Sequence, residues 1–444
     1  MKKKILAALL SVALVGSILV ACGNGNDQPA PPADPVADSQ EEVQDDTTDD
    51  TPEANDTLEP VVLTVALWNF ETGVEFASTL DAWTELNPHV SFNIIDATTA
   101  DFEAQMTTQI AGGTSIDILF LLNRPFLATL AENGQLMDLT AEVHSWGRAA
   151  EFGTALEATE MDGRLYAAPW RQDFWPLFYN KDLFEAAGLD LPDNISWQEF
   201  HDIALLLTEG EGLDKVYGAH LHTWNSIVQC LSAAQLGEDM IQEDYSWLAY
   251  LYEIYISLQD QGAIMDLGTI QAANVGYRPR FEDQQAAMIV MGSWYIGELA
   301  DRADFNWGIA PVPHMPGATE YRTMGNVTPV GIPVTANHPE EALRFIEWVT
   351  GEGGASILAG HGIPSAFMND TVREIFFGLP GMPLDELSQR AFNPDVVVPE
   401  WPLHPLTTAV DQILTEEHEL IFVGDNTIEE GIRNMNERVS RLLQ

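Results

Sequence analysis

The stretch Trp170-Arg171-Gln172-Asp173-Phe174-Trp175 sets two indoles, a guanidinium and a carboxylate between the apolar runs Leu165–Ala168 and Pro176–Tyr179. Strands close in sequence usually meet through a short polar turn, which this is not. Aromatic faces cover apolar surface and ionised groups make the strongest hydrogen bonds, so the mixture suits a cleft. A core hairpin with a bulky turn is the plainer alternative. Trp68, Asn69, Phe70 and Glu71 form a similar group, as do Asn123 and Arg124, while Trp224, Trp294 and Trp401 stand apart in the chain.

Other chemistries find less support. The chain has no Gly-x-Ser-x-Gly elbow, no His-Glu-x-x-His, no phosphate loop and no dinucleotide glycine fingerprint, so no catalytic residue is assigned and no cofactor is implied. Two of the 68 acidic residues could converge as a glycosidase pair, which keeps a surface glycoside hydrolase as a lesser alternative. His201, His220 and His222 match no metal-ligand spacing, and no metal site is assigned.

The elements around these residues alternate. Val61–Leu67 is a β-branched run that predicts a strand, Phe76, Leu80 and Trp83 recur at helical spacing, and Val90–Ile95 predicts the next strand. A helix over about 101–111, a strand at Ile116–Leu122 and a helix opened by Asn123-Arg124-Pro125 follow. This βαβαβα order predicts a parallel sheet wound by helices, whose ligands lie beyond the carboxyl ends of the strands. Trp68–Glu71 and Asn123–Arg124 fall at those ends, although a tryptophan just past a strand serves packing as readily as ligand. Further on, Leu165–Ala168 reads as a strand ended by Pro169, Asp182 as the cap of a short helix, and Val330–Val334 as a strand. Ser196/Glu199 and Thr427/Glu430 read as capping boxes.

Charge and the N-terminus bound the partners. The formal net charge is −49, and beyond residue 4 lysine occurs only at Lys181 and Lys215. Such a field repels nucleic acid, polyanions and anionic lipid. Lys2-Lys3-Lys4 precede an apolar run, Ile5–Val20, shorter than the roughly 20 residues of a membrane span. Its end, Leu19-Val20-Ala21-Cys22-Gly23, resembles the lipobox of bacterial lipoproteins, in which the cysteine is acylated and becomes the first mature residue. Residues 1–22 are therefore read as a lipoprotein signal peptide with Cys22 as the lipidation site. Residues 23–60, acidic and without Lys or Arg, are read as a disordered stalk with a reach of roughly 35 Å. With Cys22 acylated, Cys230 has no disulfide partner.

Five stretches carry a wider resemblance: Gly113–Thr140, Met161–Leu189, Phe281–Trp294, Phe305–Gly317, and His338–Gly354 with Gly362-Ile363-Pro364 beyond it. Their order and spacing resemble the extracellular solute-binding proteins of family 1, the carbohydrate receptors of ABC importers, similar in plan to maltose-binding protein. The resemblance implies an α/β, two-lobed, periplasmic-binding-protein-like fold of type II, each lobe a wound sheet flanked by helices. The N-terminal lobe would comprise 61–168 with about 325–360, and the C-terminal lobe 169–324 with about 361–444. It implies a monomer, with no enzymatic activity, held at the outer face of the cell membrane by its lipid anchor alone. A carbohydrate captured in the interlobe cleft would pass to the transmembrane subunits of a permease. The ligand-binding residues carried over are Trp68, Asn69, Glu71, Asn123, Arg124, Arg171, Asp173, Trp224, Trp294 and Trp401. Where maltose-binding protein has an aromatic before the third-strand polar pair, this chain has Leu121 and Leu122, which argues against a maltodextrin ligand. A receptor for a polyamine or metal chelate is the alternative, and Arg124 and Arg171 weigh against a polyamine.

Overall fold

A computed structural model describes residues 59–444 of the chain. The leader, Cys22 and nearly all of the acidic segment lie outside the described residues. In chain order the first strands are β1 (Val61–Trp68), β2 (Val90–Ala97), β3 (Ile118–Phe120), β4 (Ala167–Gln172) and β5 (Leu177–Asn180). Then come β6 (Met288–Val290), β7 (Trp307–Ala310), β8 (Arg322–Gly325), β9 (Val327–Gly331) and β10 (Val396–Pro399). The helices that matter below are α1 (Val74–Leu86), α2 (Thr99–Ala111), α3 (Arg124–Glu132), α4 (Trp197–Leu207), α5 (Tyr295–Arg302), α6 (Pro339–Val349), α7 (Glu352–Gly360) and α8 (Thr407–Phe422).

The fold has two lobes. The first is a five-stranded sheet in the order β2-β1-β3-β9-β4. Its first three strands are parallel, as the alternating pattern predicts, but β9 and β4 join antiparallel, so the sheet is mixed. Those two strands belong to distant parts of the chain, which local alternation does not reveal. Asp117, 1 % exposed, binds this lobe together by accepting the amides of Thr64, Asn337 and His338, each at 2.8 Å. The second lobe is built on the antiparallel sheet β6-β5-β7 and a helical shell.

The chain changes core between Trp170 and Phe174. Trp170 packs with Phe120 at 4.6 Å and Phe76 at 5.2 Å in the first core, whereas Phe174 and Trp175 belong to the second. A second change falls between Val327 and Val330, and a third between Ile363 and Ala366. The first and third passages touch, the Ala366 amide donating to the Trp170 carbonyl, and β8 pairs with β10 against the second core.

Two local expectations need correction. The strand expected to end at Pro169 runs on through Gln172, because Pro169 lies opposite Pro329 in β9, where neither residue has an amide to pair and the register shifts. The helix at Lys181–Ala186 is capped by Asn180, which accepts the Leu183 amide at 3.0 Å, and not by Asp182. Asp182 instead accepts two bonds from Asn306, which hold its carboxyl below the usual range. Both capping boxes are present as read, and Asp162-Gly163 forms the two-residue turn of a hairpin with both φ angles positive. No helix among the described residues is long and apolar enough to cross a membrane. Cys230 is buried, and burial pushes its thiol well up.

Candidate functional site

A cavity of about 300 Å³ lies where the crossing strands meet. Its polar lining comes from Arg124, Glu157, Gln172 and Asn326, and its apolar wall from Val397 and Pro399. Arg124 is placed by the start of α3. Asn123 caps that helix by accepting the Phe126 amide at 2.9 Å, and Pro125 fits the first turn because its missing N–H is not needed there. The Arg124 guanidinium donates from Nε to the Ala158 carbonyl and from Nη1 to the Trp401 carbonyl at 3.1 Å, so it joins the first lobe to the segment after β10. Burial lowers its pKa to about 10, still well charged at neutral pH. Gly325 allows the crossing strands this close an approach: a Cβ there would stand 2.1 Å from the Asp173 carbonyl oxygen.

The second lobe contributes an aromatic group. Trp294 meets Trp175 edge-on at 5.4 Å and lies 6.2 Å from Trp224, which is 40 % exposed. His222 stacks against Trp224 at 3.8 Å, and Tyr277 receives the indole N–H of Trp294 at 3.3 Å. The Gly-Ser-Trp sequence now has a local reason. The Trp294 ring folds back over residue 292, where a Cβ would come within 1.9 Å of it, and the Ser293 hydroxyl accepts the Phe174 amide at 3.1 Å. Trp175 Nε1 is buried without a hydrogen-bond partner.

Carboxylates converge here too. Asp173, 3 % exposed, takes a hydrogen bond from Ser293 at 3.5 Å; burial raises its pKa, against the pull of Arg171. Burial, aided by repulsion from Asp411 and Asp173 and opposed by a bond from Ser226, pushes Glu400 up to about 7. Asp411 is raised by burial although Asn225 donates to it at 3.0 Å, and Glu103 is raised by burial although Asn123 donates to it at 2.5 Å. Arg171 does not pair with Asp173; it meets Glu75 at 3.1 Å, with both side chains 12 % exposed.

The ten residues expected at a site therefore fall into different surroundings. Arg124 lines the cavity and Trp401 meets it through its carbonyl, while Trp224, Trp294 and Asp173 share the aromatic and acidic region. Asn123 serves as a helix cap. Trp68 is buried against Phe76 and Phe102, and Asn69, at φ 51°, bonds to Thr99. Glu71 is exposed. Burial keeps His220 and His222 neutral, with pKa values near 3 and 4, and His201 bonds Ser257. No group of three or more His, Cys, Asp or Glu among the described residues is arranged to hold a metal ion. Sequence reasoning missed Gln172, Asn326, Glu103, Glu400 and Asp411. Gln172 and Asn326 sit in expected crossings and were findable; nothing distinguished the three acids among so many.

Comparison with known proteins gives these features a setting. Residues 71–356 match the profile of the bacterial extracellular solute-binding proteins. A sugar transporter of Rhizobium etli, solved in an open conformation, is 30 % identical and superposes with a TM-score of 0.74 over 86 % of this chain and 99 % of its own. The ABC substrate-binding protein of Listeria monocytogenes in complex with cycloalternan shares the fold at 20 % identity, with a TM-score of 0.76 over 87 % and 99 % of the two chains. A lactose-binding protein of Rhizobium radiobacter is 26 % identical over 150 residues, 31 % of this chain and 34 % of its own. The match takes in the first two crossings and the cavity residues from Arg124 to Val327, and the chain belongs to the bacterial extracellular solute-binding protein family.

Proposed function

We propose that the protein captures a carbohydrate in the interlobe cleft and delivers it to the permease of an ABC importer, held at the outer face of the membrane through Cys22. The observation that carries this reading is the cavity between the crossings. It holds the volume of a small pyranoside and offers a guanidinium, two amides and a carboxylate to hydroxyl groups. Trp224 and Trp294 lie in the neighbouring aromatic group, and such rings suit the apolar C–H faces of a sugar. The solved relatives whose names mention sugars support the same reading. Arg171, Asp173, Asn69, Glu71 and Asn123 remain proposed contributors in a more closed arrangement of the lobes, which a ligand touching both would favour.

A thermal-shift screen over mono- and oligosaccharides tests it. A ligand at about a hundred times its Kd stabilises the folded state by about 2.7 kcal/mol, a shift of several degrees. No stabilising saccharide at millimolar concentration would remove the carbohydrate reading.

A further inference from the structure

Ahead of the first crossing the chain makes a detour. Val143 and Leu165 belong to the first core, but Phe152 and Ala155 between them lie in the second. Two short helices, Ala149–Phe152 and Thr154–Glu157, form this strap, and Gly153 takes the turn between them at φ 52°, a conformation that a Cβ disfavours. The root of the strap is held to the first lobe, where Arg148 donates to the Glu347 carbonyl of α6 at 2.6 Å. Its middle is held to the second: Phe152 meets Phe367 at 6.0 Å, and the Met368 amide donates to the Glu151 carbonyl at 3.1 Å. Its end, through Thr154, Glu157 and Ala158, forms one wall of the cavity.

Arg124 stands where these pieces meet. It opens α3, whose Phe126, Leu127 and Leu130 lie in the first core. Its two acceptors, the carbonyls of Ala158 and Trp401, belong to residues that pack against the second core. Nε and Nη1 diverge across the planar guanidinium, so one side chain grips two backbone segments at once. Arg148, Arg171, Arg278 and Arg438 have carboxylate partners, whereas the bonds of Arg124 go to carbonyls alone. A cation half-withdrawn from water without a counter-ion depends on such bonds, and losing them would leave it uncompensated.

We propose that Arg124 is a positioning residue: it ties the 149–158 strap and the segment after β10 to the first lobe and so builds two walls of the cavity. Three of its five N–H groups stay available to a ligand, so the tie is compatible with a sugar in the cavity and does not depend on one.

Hydrogen–deuterium exchange of the full chain, read at single amides, tests the tie. The reporters are Ala158 and Thr159 at the end of the strap, which donate to Thr154 and Leu156, and Glu400 beside Trp401, which donates to Gly325. Arg124→Gln, checked for an unchanged melting profile, should speed exchange about fivefold or more at both places while the Met368 amide stays as in the parent. Arg124→Lys keeps the charge but not the fork, and should restore protection at no more than one of the two. Phe152→Leu loosens the strap from the second core instead, and should speed Met368 while leaving Glu400 unchanged. Parent-like exchange in Arg124→Gln, full protection at both places in Arg124→Lys, or release of Glu400 by Phe152→Leu each overturns the tie. Should Arg124→Gln not fold, the lysine variant decides alone by the same criterion. None of these outcomes touches the carbohydrate reading, which the thermal-shift screen decides separately.

Discussion

Buried histidines work against the folded state as the pH falls. His418 is fully buried; its Nδ1 faces the Tyr252 hydroxyl at 3.1 Å and its Nε2 has no partner, so burial lowers its pKa to about 3. The unfolded chain takes up a proton near pH 6.5 and the folded one does not, so this contribution is present above 6.5 and is lost as pH falls towards 3. At pH 5 the loss amounts to about 2 kcal/mol. Glu400 acts the other way, because its raised pKa makes the folded state bind a proton first as pH falls from 7. A double difference isolates the histidine. His418→Gln should lose about 2 kcal/mol less than the parent between pH 7 and pH 5 in urea unfolding. Equal losses would clear His418 of the acid sensitivity. At this scale the sequence was partly legible. Arg124 was found because a strand end names its neighbourhood, and Trp68 lay just as plainly at a strand end, yet its ring turns into the core. Residue type and position do not fix which way a side chain points.

Strands and crossings were legible where local periodicity governs and obscure where distant segments meet. β1, α1 and α2 follow from β-branched runs and helical spacing, but the antiparallel entry of β9 between β3 and β4 depends on a segment about 160 residues away. The reach of β4 beyond Pro169 likewise depends on Pro329 standing opposite. Glycine at the crossings is an element-scale requirement of the same kind. Gly325→Ala forces its methyl against the Asp173 carbonyl and Val397, and should destabilise by about 1–3 kcal/mol. Gly360 closes α7 with nothing within 4 Å of a Cβ, and Gly360→Ala should stabilise by roughly 0.4–1 kcal/mol. Denaturant midpoints of the two variants, read against the parent, check both signs. If Gly325→Ala were neutral, the crossing strands would have room that their backbone approach denies.

The whole molecule carries its acidity without much relief. Its net charge is −49, and several arginines are already held in pairs, such as Arg148–Glu347, Arg278–Glu298 and Arg438–Glu417. Self-repulsion among the remaining carboxylates opposes the compact state, whereas exposed pairs contribute little to it. Salt therefore has more repulsion than attraction to screen. Raising NaCl from about 50 to about 500 mM shortens the Debye length from about 14 Å to about 4 Å, less than the spacing of most surface charges. The melting temperature should climb by several degrees over this range and then level off, since screening saturates once the Debye length falls below the charge spacing. Scanning calorimetry at a series of salt concentrations reads the curve. A continued linear rise would point to exclusion of salt from the surface, and a flat or falling curve would mean that the ion pairs outweigh the repulsion.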